Sequence, residues 1–240
     1  MSSTNDPTPI LIAIPYWHGD KDQAFELCKI IAGLQPHHVG NVAHVLLICR
    51  QDCTIDMNMV EIIRAKFHVF TFHSMSPLKG WPNGSNGIFS QTMIHIGNRA
   101  HRNYECVYWM EPDAIPLCPN WFWDLVTEWR NRHPTTKIVG CRSDCNGDGT
   151  GDHITGCALY DPDIARIMPE LTLCDNMAWD YQHRARIVQV GGPTKTIENW
   201  YRATNADPGI LDRINVGVRI IHGFKDRSLT NLVKQKYNIL

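Results

Sequence analysis

The sequence lacks any apolar run approaching the roughly 20 residues that a membrane-spanning helix requires, which predicts a protein without a membrane partner. It has no internal repeat and no low-complexity segment, which excludes solenoid and fibrous architectures. The first nine residues are polar and lack the basic-then-apolar order of a secretion signal. We therefore expect residues 1–9 to form a short disordered lead and the protein to be cytoplasmic.

Paired CxxC knuckles are also missing, although the chain has nine cysteines. Cys49 and Cys53, and likewise Cys141 and Cys145, are spaced CxxxC, which disfavours a structural zinc site. Without a secretion signal, nine cysteines indicate reduced thiols in a cytoplasm rather than a disulfide framework.

The charge is nearly balanced overall but unevenly distributed. The net charge of the 240 residues is −1. Residues 181–240 contain ten Lys/Arg and four Asp/Glu, whereas residues 1–180 contain 13 basic and 20 acidic residues. Such asymmetry is typical either of a polyanion-binding face or of an ordinary solvated surface. Composition, 43% hydrophobic and 20% charged, suits one sizeable core.

Strand and helix patterns alternate through the first half, which predicts parallel strands joined by right-handed crossovers. The predicted strands cover 10–14, 42–48, 67–72 and 106–110, and the helices cover 20–34, 55–65 and 85–99. The second half is less regular, with helices at 121–131, 163–168 and 177–186, strands at 137–141, 154–160 and 216–221, and a basic tail. No linker separates the halves, so we expect one continuous domain.

The fourth predicted strand stops at two acids separated by a proline, in the order Glu111, Pro112 and Asp113. Side chains two apart on extended backbone point the same way, and ligands of open α/β sheets sit at the carboxyl ends of strands. Two hard oxygen ligands there suit Mg²⁺ or Mn²⁺ holding a diphosphate. The alternative is a strand end with two solvated acids.

Other polar residues also follow predicted strands. Pro15 and Tyr16 follow the first strand and Asp52 the second, where a nucleoside would sit, although each also suits an ordinary turn. A glycine-rich loop follows the third strand and precedes a helix, and it is not a Walker A loop. Its candidate ligand contacts are Lys79, Gly84 and Asn86.

The end of the last predicted strand offers a histidine and a lysine, His222 and Lys225. A histidine there suits a metal and a lysine suits phosphate, although a lone histidine is more often structural.

In this order the motifs resemble those of the GT-A fold glycosyltransferases. They are the Ile10–Tyr16 strand and turn, the Gly80–Asn86 loop, Tyr108–Asp113, His153–Tyr160, Ala178–Tyr181 and Ile221–Asp226. The resemblance implies an α/β fold with a single GT-A-like domain over 10–240. Its Rossmann-like nucleotide-binding half would cover 10–113, and its mixed-sheet acceptor half 114–240.

The resemblance also implies roles for individual residues. Glu111-Pro112-Asp113 is similar to the family's DxD motif, so Asp113 and His222 would bind Mn²⁺ or Mg²⁺. Glu111, which departs from the motif, would touch the metal or the ribose of a UDP-sugar. Gly156 would line the sugar, and Asp180 matches the acceptor-activating carboxylate of inverting members.

The acceptor is less constrained by the sequence. The basic last quarter carries Trp200, Tyr201 and Tyr237, and basic residues interleaved with aromatics suit a nucleic acid. The chain is also similar to compact phage-encoded DNA-modifying glycosyltransferases, which implies a 5-hydroxymethylated pyrimidine in double-stranded DNA and action in the host cytoplasm. A glycan, lipid-linked glycan, protein or small molecule remains open. A metal-dependent nuclease or hydrolase, or a non-catalytic nucleic-acid-binding module, would be a different class.

Overall fold

The computed structural model of the protein describes residues 8–98, 104–144, 151–173 and 176–240. Its main feature is a seven-stranded mixed sheet in the order β3-β2-β1-β4-β7-β6-β8, beside a three-stranded sheet in the order β5-β10-β9. The strands are β1 (Ile10–Tyr16), β2 (Ala43–Arg50), β3 (His68–Ser74), β4 (Val107–Trp109), β5 (Ala114–Pro116), β6 (Ile138–Ser143), β7 (His153–Tyr160), β8 (Gly191–Pro193), β9 (Ile197–Asn199) and β10 (Ile220–His222).

Helices cover both faces of the large sheet. They are α1 (Lys21–Gly33), α2 (Met57–Arg64), α3 (Asn83–Gly97), α4 (Trp121–Arg130), α5 (Ile164–Ile167), α6 (Trp179–Gln182), α7 (Arg184–Val190), α8 (Ile210–Arg213) and α9 (Ser228–Tyr237), with a 3-10 turn at Pro169–Thr172. No helix among the described residues is long and apolar enough to span a membrane.

Strand β1 shows why the sheet needs both layers of helices. Ile10, Ile12 and Ile14 point into one core cluster with α1, α2, α4 and α9, whereas Leu11 and Ala13 point into a second cluster with α3 and α5. Alternate residues of a strand face opposite sides, so a strand that is apolar throughout is buried on both. The continuous apolar run in the sequence has this physical cause.

The first four strands form the predicted parallel half. β1 pairs in parallel with β2 and β4, and β2 with β3, so their carboxyl ends share one edge of the sheet. The second half joins this sheet by antiparallel pairing of β7 with β4 and β6. The α/β class, with a parallel half fused to a mixed-sheet half, is therefore confirmed.

The small sheet fixes the geometry of the strand end after β4. β10 pairs antiparallel with β5, and His222 lies opposite Ala114 in the register. The residue that precedes Ala114 is Asp113, so the pairing of two three-residue strands carries the last strand's histidine to the acid-x-acid motif.

Several element predictions differ from the structure. β1 continues through Pro15 to Tyr16, and Pro15 is tolerated where β1 pairs with β2 alone, because β4 pairs with β1 only as far as Ala13. The helix predicted over 177–186 is divided into α6 and α7 at His183, which has non-helical backbone angles. The basic tail contains a helix, α9, bound to α1 by an ion pair between Lys234 and Glu26. The short strands β5, β8 and β9 were not predicted, because three residues carry too little periodicity to detect.

The predicted lead lies outside the described residues except for Thr8 and Pro9, and the carbonyl of Pro9 accepts a hydrogen bond from Glu105 N at 2.9 Å. Most of the segment over 143–152, between the strands predicted at 137–141 and 154–160, also lies outside them. The division into halves at residue 113 stays a prediction.

Candidate active site

Three side chains of the predicted metal site come together at the carboxyl edge of the sheet. Potential ligand atoms of Glu111, Asp113 and His222 all lie within 4.8 Å of one another. His222 Nε2 lies 3.1 Å from Glu111 Oε2 and 3.5 Å from Asp113 Oδ1. The two acids lie in the turn between β4 and β5. The pairing of β10 with β5 brings His222 next to them.

Two cationic groups surround the buried carboxylate of this cluster. Asp113 is 1% exposed, and Lys225 Nζ lies 2.7 Å from its Oδ2. Burial alone would raise the pKa of Asp113, but His222 and Lys225 outweigh it and hold that pKa below its usual range. Burial would lower the pKa of His222, and the carboxylates of Asp113 and Glu111 reverse this and raise it. Asp113 is thus kept as an anion.

The donor set fits a divalent ion. Neighbouring ligands of an octahedral ion bound at about 2.1 Å lie about 3 Å apart, and His222 Nε2 lies 3.1 Å from Glu111 and 3.5 Å from Asp113, so a small shift would bring all three to one ion. Two carboxylates and an imidazole match the ligand preferences of Mn²⁺, and the carboxylates suit Mg²⁺. Nδ1 of His222 is buried and has no hydrogen-bond partner among the described residues. Binding a metal through Nε2 would require His222 to release a proton, because neutral imidazole is the ligand form.

Asp180 lies beside β7, the strand next to β4 in the large sheet, and its electrostatic environment differs from that of Asp113. Its Oδ2 accepts a hydrogen bond from Gly156 N at 2.9 Å and lies 3.2 Å from His153 Nε2. Its Oδ1 accepts from Tyr181 N at 2.9 Å. His153 Nδ1 is in turn 3.1 Å from Ser143 Oγ. These contacts fix the carboxylate without a lysine or arginine, and its side chain is 17% exposed.

Gly156 brings the two acidic centres to one place. A Cβ atom on this residue would lie 3.4 Å from Glu111 Oε1 and 3.4 Å from Asp180 Oδ2, and only 2.9 Å from the Trp179 ring. Both carboxylates therefore border the same small space, which exists because residue 156 has no side chain. Gly156 was predicted to line the sugar, and the structure places it between the candidate metal ligands and Asp180.

Two of the predicted nucleoside contacts, Pro15 and Tyr16, are not open to a ligand. Pro15 and Tyr16 lie within β1, and the ring of Tyr16 is 1% exposed. Its hydroxyl accepts from Asp56 N at 3.2 Å, and burial raises its pKa. The interpretation of Tyr16 as a base-stacking platform is therefore not supported, because β1 continues two residues further than predicted and carries this ring into the core.

Asp52 lies after β2, where it was predicted, but it already has a partner. The guanidinium of Arg50 contacts both carboxylate oxygens, with Nε 2.7 Å from Oδ1, and lowers the pKa of Asp52. The Asp52 side chain is 33% exposed, so its outer face remains open to solvent. Arg50 was not among the predicted site residues, although its place at the end of β2 was a signal.

The glycine-rich loop divides into an exposed and a buried part. Lys79 is exposed, and Trp81 is 81% exposed at the tip. Gly84 is buried, with the Arg50 guanidinium 3.4 Å from the position of a Cβ. Asn86 is 3% exposed and uses its amide on protein backbone, as described below.

The basic last quarter is largely neutralised by the acidic part of the chain. Six of its ten cations pair with carboxylates from residues 1–180: Arg184–Asp152, Arg186–Glu170, Arg219–Asp124, Lys225–Asp113, Arg227–Asp22 and Lys234–Glu26. The charge asymmetry of the sequence is therefore partly an internal pairing between its two parts. Of the three aromatics singled out there, Tyr201 is 73% exposed, whereas Trp200 and Tyr237 donate hydrogen bonds to Glu198 and the Leu117 carbonyl.

No protein-family model and no curated protein sequence matches the chain. Solved structures match it in fold. Glycosyltransferase GlyE of Streptococcus pneumoniae TIGR4 superposes with a TM-score of 0.60 at 11% identity, over 97% of this chain and 61% of that one. Galactosyltransferase LgtC, solved with donor and acceptor sugar analogues, gives 0.58 at 9% identity, over 94% and 95%. Mouse xyloside xylosyltransferase 1 gives 0.56 at 11% identity, over 90% and 98%.

The chain has the GT-A fold. At these identities the similarity concerns the fold alone, and the chain spans about three fifths of the length of GlyE. The arrangement of Glu111, Asp113, His222 and Asp180 around Gly156 must therefore carry any conclusion about chemistry.

Proposed function

We propose that the protein is a metal-dependent glycosyltransferase that uses a nucleotide-diphosphate sugar. One observation carries this proposal: a candidate cation site and a separately held carboxylate border the space above Gly156. A cation site suits the diphosphate, and a carboxylate without a lysine or arginine partner suits the acceptor hydroxyl. The GT-A fold supports the same assignment.

Each residue has a distinct part in this reaction. Glu111, Asp113 and His222 would hold Mn²⁺ or Mg²⁺, which when bound neutralises charge on the departing nucleoside diphosphate. Lys225, 59% exposed, directs its ammonium at the same anionic centre and would contact phosphate. Asp180 would accept the proton of the acceptor hydroxyl as that oxygen forms its bond to the anomeric carbon and the bond to the diphosphate breaks.

The donor would lie along the carboxyl edge of the parallel strands. The outer face of Asp52 would contact the nucleoside, and the exposed part of the glycine-rich loop, with Lys79 and Trp81, would cover the sugar-diphosphate side. We propose a UDP-sugar as the donor. Pro15 and Tyr16 would form the floor beneath this site as core residues, since neither exposes a face to a base.

The first test is a screen of UDP-glucose, UDP-galactose and UDP-N-acetylglucosamine by thermal shift with Mn²⁺, followed by UDP release. We expect one donor to raise the melting temperature in Mn²⁺ and not in EDTA, and to be hydrolysed slowly. If no nucleotide sugar shifts the transition with Mn²⁺ present, the donor assignment is wrong.

The stereochemical outcome follows from the role of Asp180. Direct attack by an activated hydroxyl inverts the anomeric centre, so we propose an inverting enzyme. Proton NMR of the freshly formed product reports its anomeric configuration, and a retained configuration would contradict Asp180 as the base.

For the acceptor, we propose 5-hydroxymethylated pyrimidine in double-stranded DNA, of the kind made by phage-encoded enzymes. The 5-hydroxymethyl group projects into the major groove, where partial or complete flipping would expose it. Exposed Tyr201, with the Arg202 guanidinium 5.0 Å from its ring centre, offers a stacking surface with a cation. The six ion pairs of the basic segment argue for weak rather than strong phosphate binding.

DNA binding can be separated from donor chemistry by its salt dependence. Each neutralised phosphate adds about −0.9 to the slope of log affinity against log salt, so fluorescence anisotropy at several salt concentrations counts the contacts. Absence of salt-sensitive binding, together with no label transfer to hydroxymethylated DNA, would favour a glycan, protein or small-molecule acceptor.

A metal-dependent nuclease is the main alternative of another class. Nucleases of the two-metal type need a second group of acidic ligands, and the described residues contain one potential metal cluster, Glu111, Asp113 and His222. Cleavage of DNA in Mn²⁺ without any nucleotide sugar would nevertheless favour that class. DNA binding without either reaction would favour a non-catalytic module.

We propose that the protein acts in the cytoplasm, in the host cytoplasm if it is phage-encoded. The seven cysteines among the described residues are all free thiols, which suits a reducing compartment.

A further inference from the structure

One face of α3 carries two residues that contact the segment before Asp180. Asn86 and Phe89 are three residues apart, so they lie on the same side of the helix. Asn86 Nδ2 donates to the Met177 carbonyl at 2.8 Å, and Asn86 Oδ1 accepts from Trp179 N at 3.0 Å. Phe89 stacks on the Trp179 ring with centroids 3.8 Å apart and planes 9° from parallel.

These contacts use both polar groups of the Asn86 amide on backbone. The side chain is 3% exposed, so its donor and its acceptor face protein rather than the open site. This differs from the predicted contact of Asn86 with a nucleotide sugar. The physical reason is that the Met177 carbonyl and the Trp179 N–H, both far along the chain, satisfy the two groups of the amide.

The segment held by Asn86 has little stability of its own. α6 spans four residues, its N-cap is Ala178, and no side chain of its own caps the helix. The first N–H groups of a helix lack intrahelical partners and need a capping acceptor. Asn86 supplies that acceptor to Trp179, the first residue of α6, from a different helix.

We propose that Asn86 is a positioning residue that places Asp180 by capping α6 from α3. The inference rests on the proposed role of Asp180 as base. Asp180 immediately follows the capped residue, and Gly156 N and His153 then orient its carboxylate. Loss of the Asn86 amide would free the backbone of 177–179 and displace the carboxylate without touching the donor.

The test compares Asn86→Ala with Ser90→Ala. Ser90 lies one turn along α3, and its hydroxyl donates to the Thr172 carbonyl at 3.2 Å, so its variant removes a hydrogen bond from the same helix to the 3-10 turn rather than to α6. Hydrogen–deuterium exchange followed by NMR should show faster exchange of the Trp179 amide in Asn86→Ala and not in Ser90→Ala. Unchanged protection in both variants would overturn the cap.

Kinetics of UDP release from UDP-glucose, or from whichever of the three UDP-sugars is hydrolysed fastest, supply the second readout. A displacement of about 1 Å in a reacting group can cost about 10²-fold, so we expect kcat of Asn86→Ala to fall by about 10- to 100-fold while donor KM changes by less than about twofold. A rise in donor KM at unchanged kcat would overturn the proposal in favour of donor binding. Asn86→Asp keeps an acceptor for Trp179 N but cannot donate to the Met177 carbonyl when ionised. Its kcat should therefore lie between those of the wild type and Asn86→Ala. It replaces Asn86→Ala in the test if the alanine variant does not fold.

A double-mutant cycle with Asp180→Asn decides whether Asn86 acts through Asp180. If it does, Asn86→Ala should cost almost nothing further in the Asp180→Asn background, because coupled residues are not additive. Additive losses would assign Asn86 a separate role and overturn the proposal. Full activity of Asp180→Asn alone would instead reject the base assignment, and faster Trp179 exchange would then describe only a structural cap.

Discussion

Asp113 and Asp180 are two carboxylates at one edge of the sheet, and their surroundings are opposite. Asp113 is 1% exposed and lies against two cationic groups, with Lys225 Nζ at 2.7 Å and His222 Nε2 at 3.5 Å. Asp180 is more exposed and accepts hydrogen bonds from the backbone of Gly156 and Tyr181. The first lies against two cationic groups, whereas the second is held by backbone N–H groups and a histidine, without a lysine or arginine among the described residues.

This difference separates the tasks that the two groups suit. A carboxylate whose pKa is lowered by neighbouring cations stays ionised, which suits the binding of a metal in place of those cations. A carboxylate held by backbone N–H groups and a histidine, without a lysine or arginine, suits the removal of a proton from an acceptor hydroxyl. Pairs of acids whose environments differ in this way are typical of sites that divide acid–base work from charge stabilisation.

The strongest test of the comparison is Asp113→Asn. An amide keeps the shape but loses the charge, so we expect transfer to fall to background, because metal-bound charge stabilisation contributes several kcal/mol to the barrier. UDP release with a Mn²⁺ titration measures this. Asp161→Asn is a matched control, since Asp161 is also ion-paired, to Lys137 at 3.0 Å, but lies away from the site.

Normal activity of Asp113→Asn in excess EDTA would contradict the assignment of Asp113 to a metal site. The two carboxylates would then no longer have separate tasks. Circular dichroism should show an intact fold in the variant.

The next largest effect is expected for Asp180→Asn. A general base contributes roughly 10²- to 10⁴-fold, so kcat should fall by about that factor while Mn²⁺ affinity and donor KM stay near wild type. Separate titrations of Mn²⁺ by electron paramagnetic resonance and of donor by calorimetry check the two parts. A loss of metal binding in this variant would place Asp180 in the first centre instead of the second.

The sequence indicated the three candidate metal ligands to different degrees. Glu111 and Asp113 were found because an acid-x-acid pattern at the end of an apolar run has a direct geometric consequence. His222 was found from its position after the last strand. Its approach to Asp113 depends on the β5–β10 register, which three-residue strands do not reveal in sequence.

The errors have one physical origin, which is that a partner can be far away in the chain. Tyr16 looked available for stacking because β1 was expected to stop at Ile14, but the strand continues and the ring is buried. Asn86 looked like a loop ligand, but its partners lie 91 and 93 residues later. The basic last quarter looked like a binding face, but most of its cations meet acids from the rest of the chain. Tertiary contacts of this kind have no local signal.

Lys225→Ala sharpens the comparison at Asp113. Lys225 would compete with a metal for this carboxylate and would also contact the donor phosphates, so the affinities for metal and for donor should change in opposite directions. We expect Mn²⁺ to bind about threefold to tenfold more tightly without donor, corresponding to about 0.7–1.4 kcal/mol for an exposed charge, and donor KM to rise. Tighter Mn²⁺ binding without a change in donor KM would restrict Lys225 to the metal-free state.

The smallest expected effect concerns a third carboxylate of this region, Asp20. Among the described residues no cation pairs with it directly, and one hydrogen bond to its side chain does not offset its burial. Burial is the largest cause that raises its pKa, to about 6, and outweighs the hydrogen bond that its Oδ1 accepts from Trp17 N at 2.7 Å. Because the folded state holds this proton more tightly than the unfolded state, the contribution of Asp20 to stability is fully present below about pH 4 and is lost as pH rises through about 6. Asp20→Asn keeps the acceptor for Trp17 and removes the charge. In EDTA it should raise the free energy of unfolding by roughly 1–2 kcal/mol at pH 7.5 and leave it unchanged near pH 4, after discounting for partial solvent exposure. Urea unfolding at both pH values measures this difference in the free energy of unfolding. An equal effect at both pH values would show that ionisation of Asp20 does not destabilise the folded state.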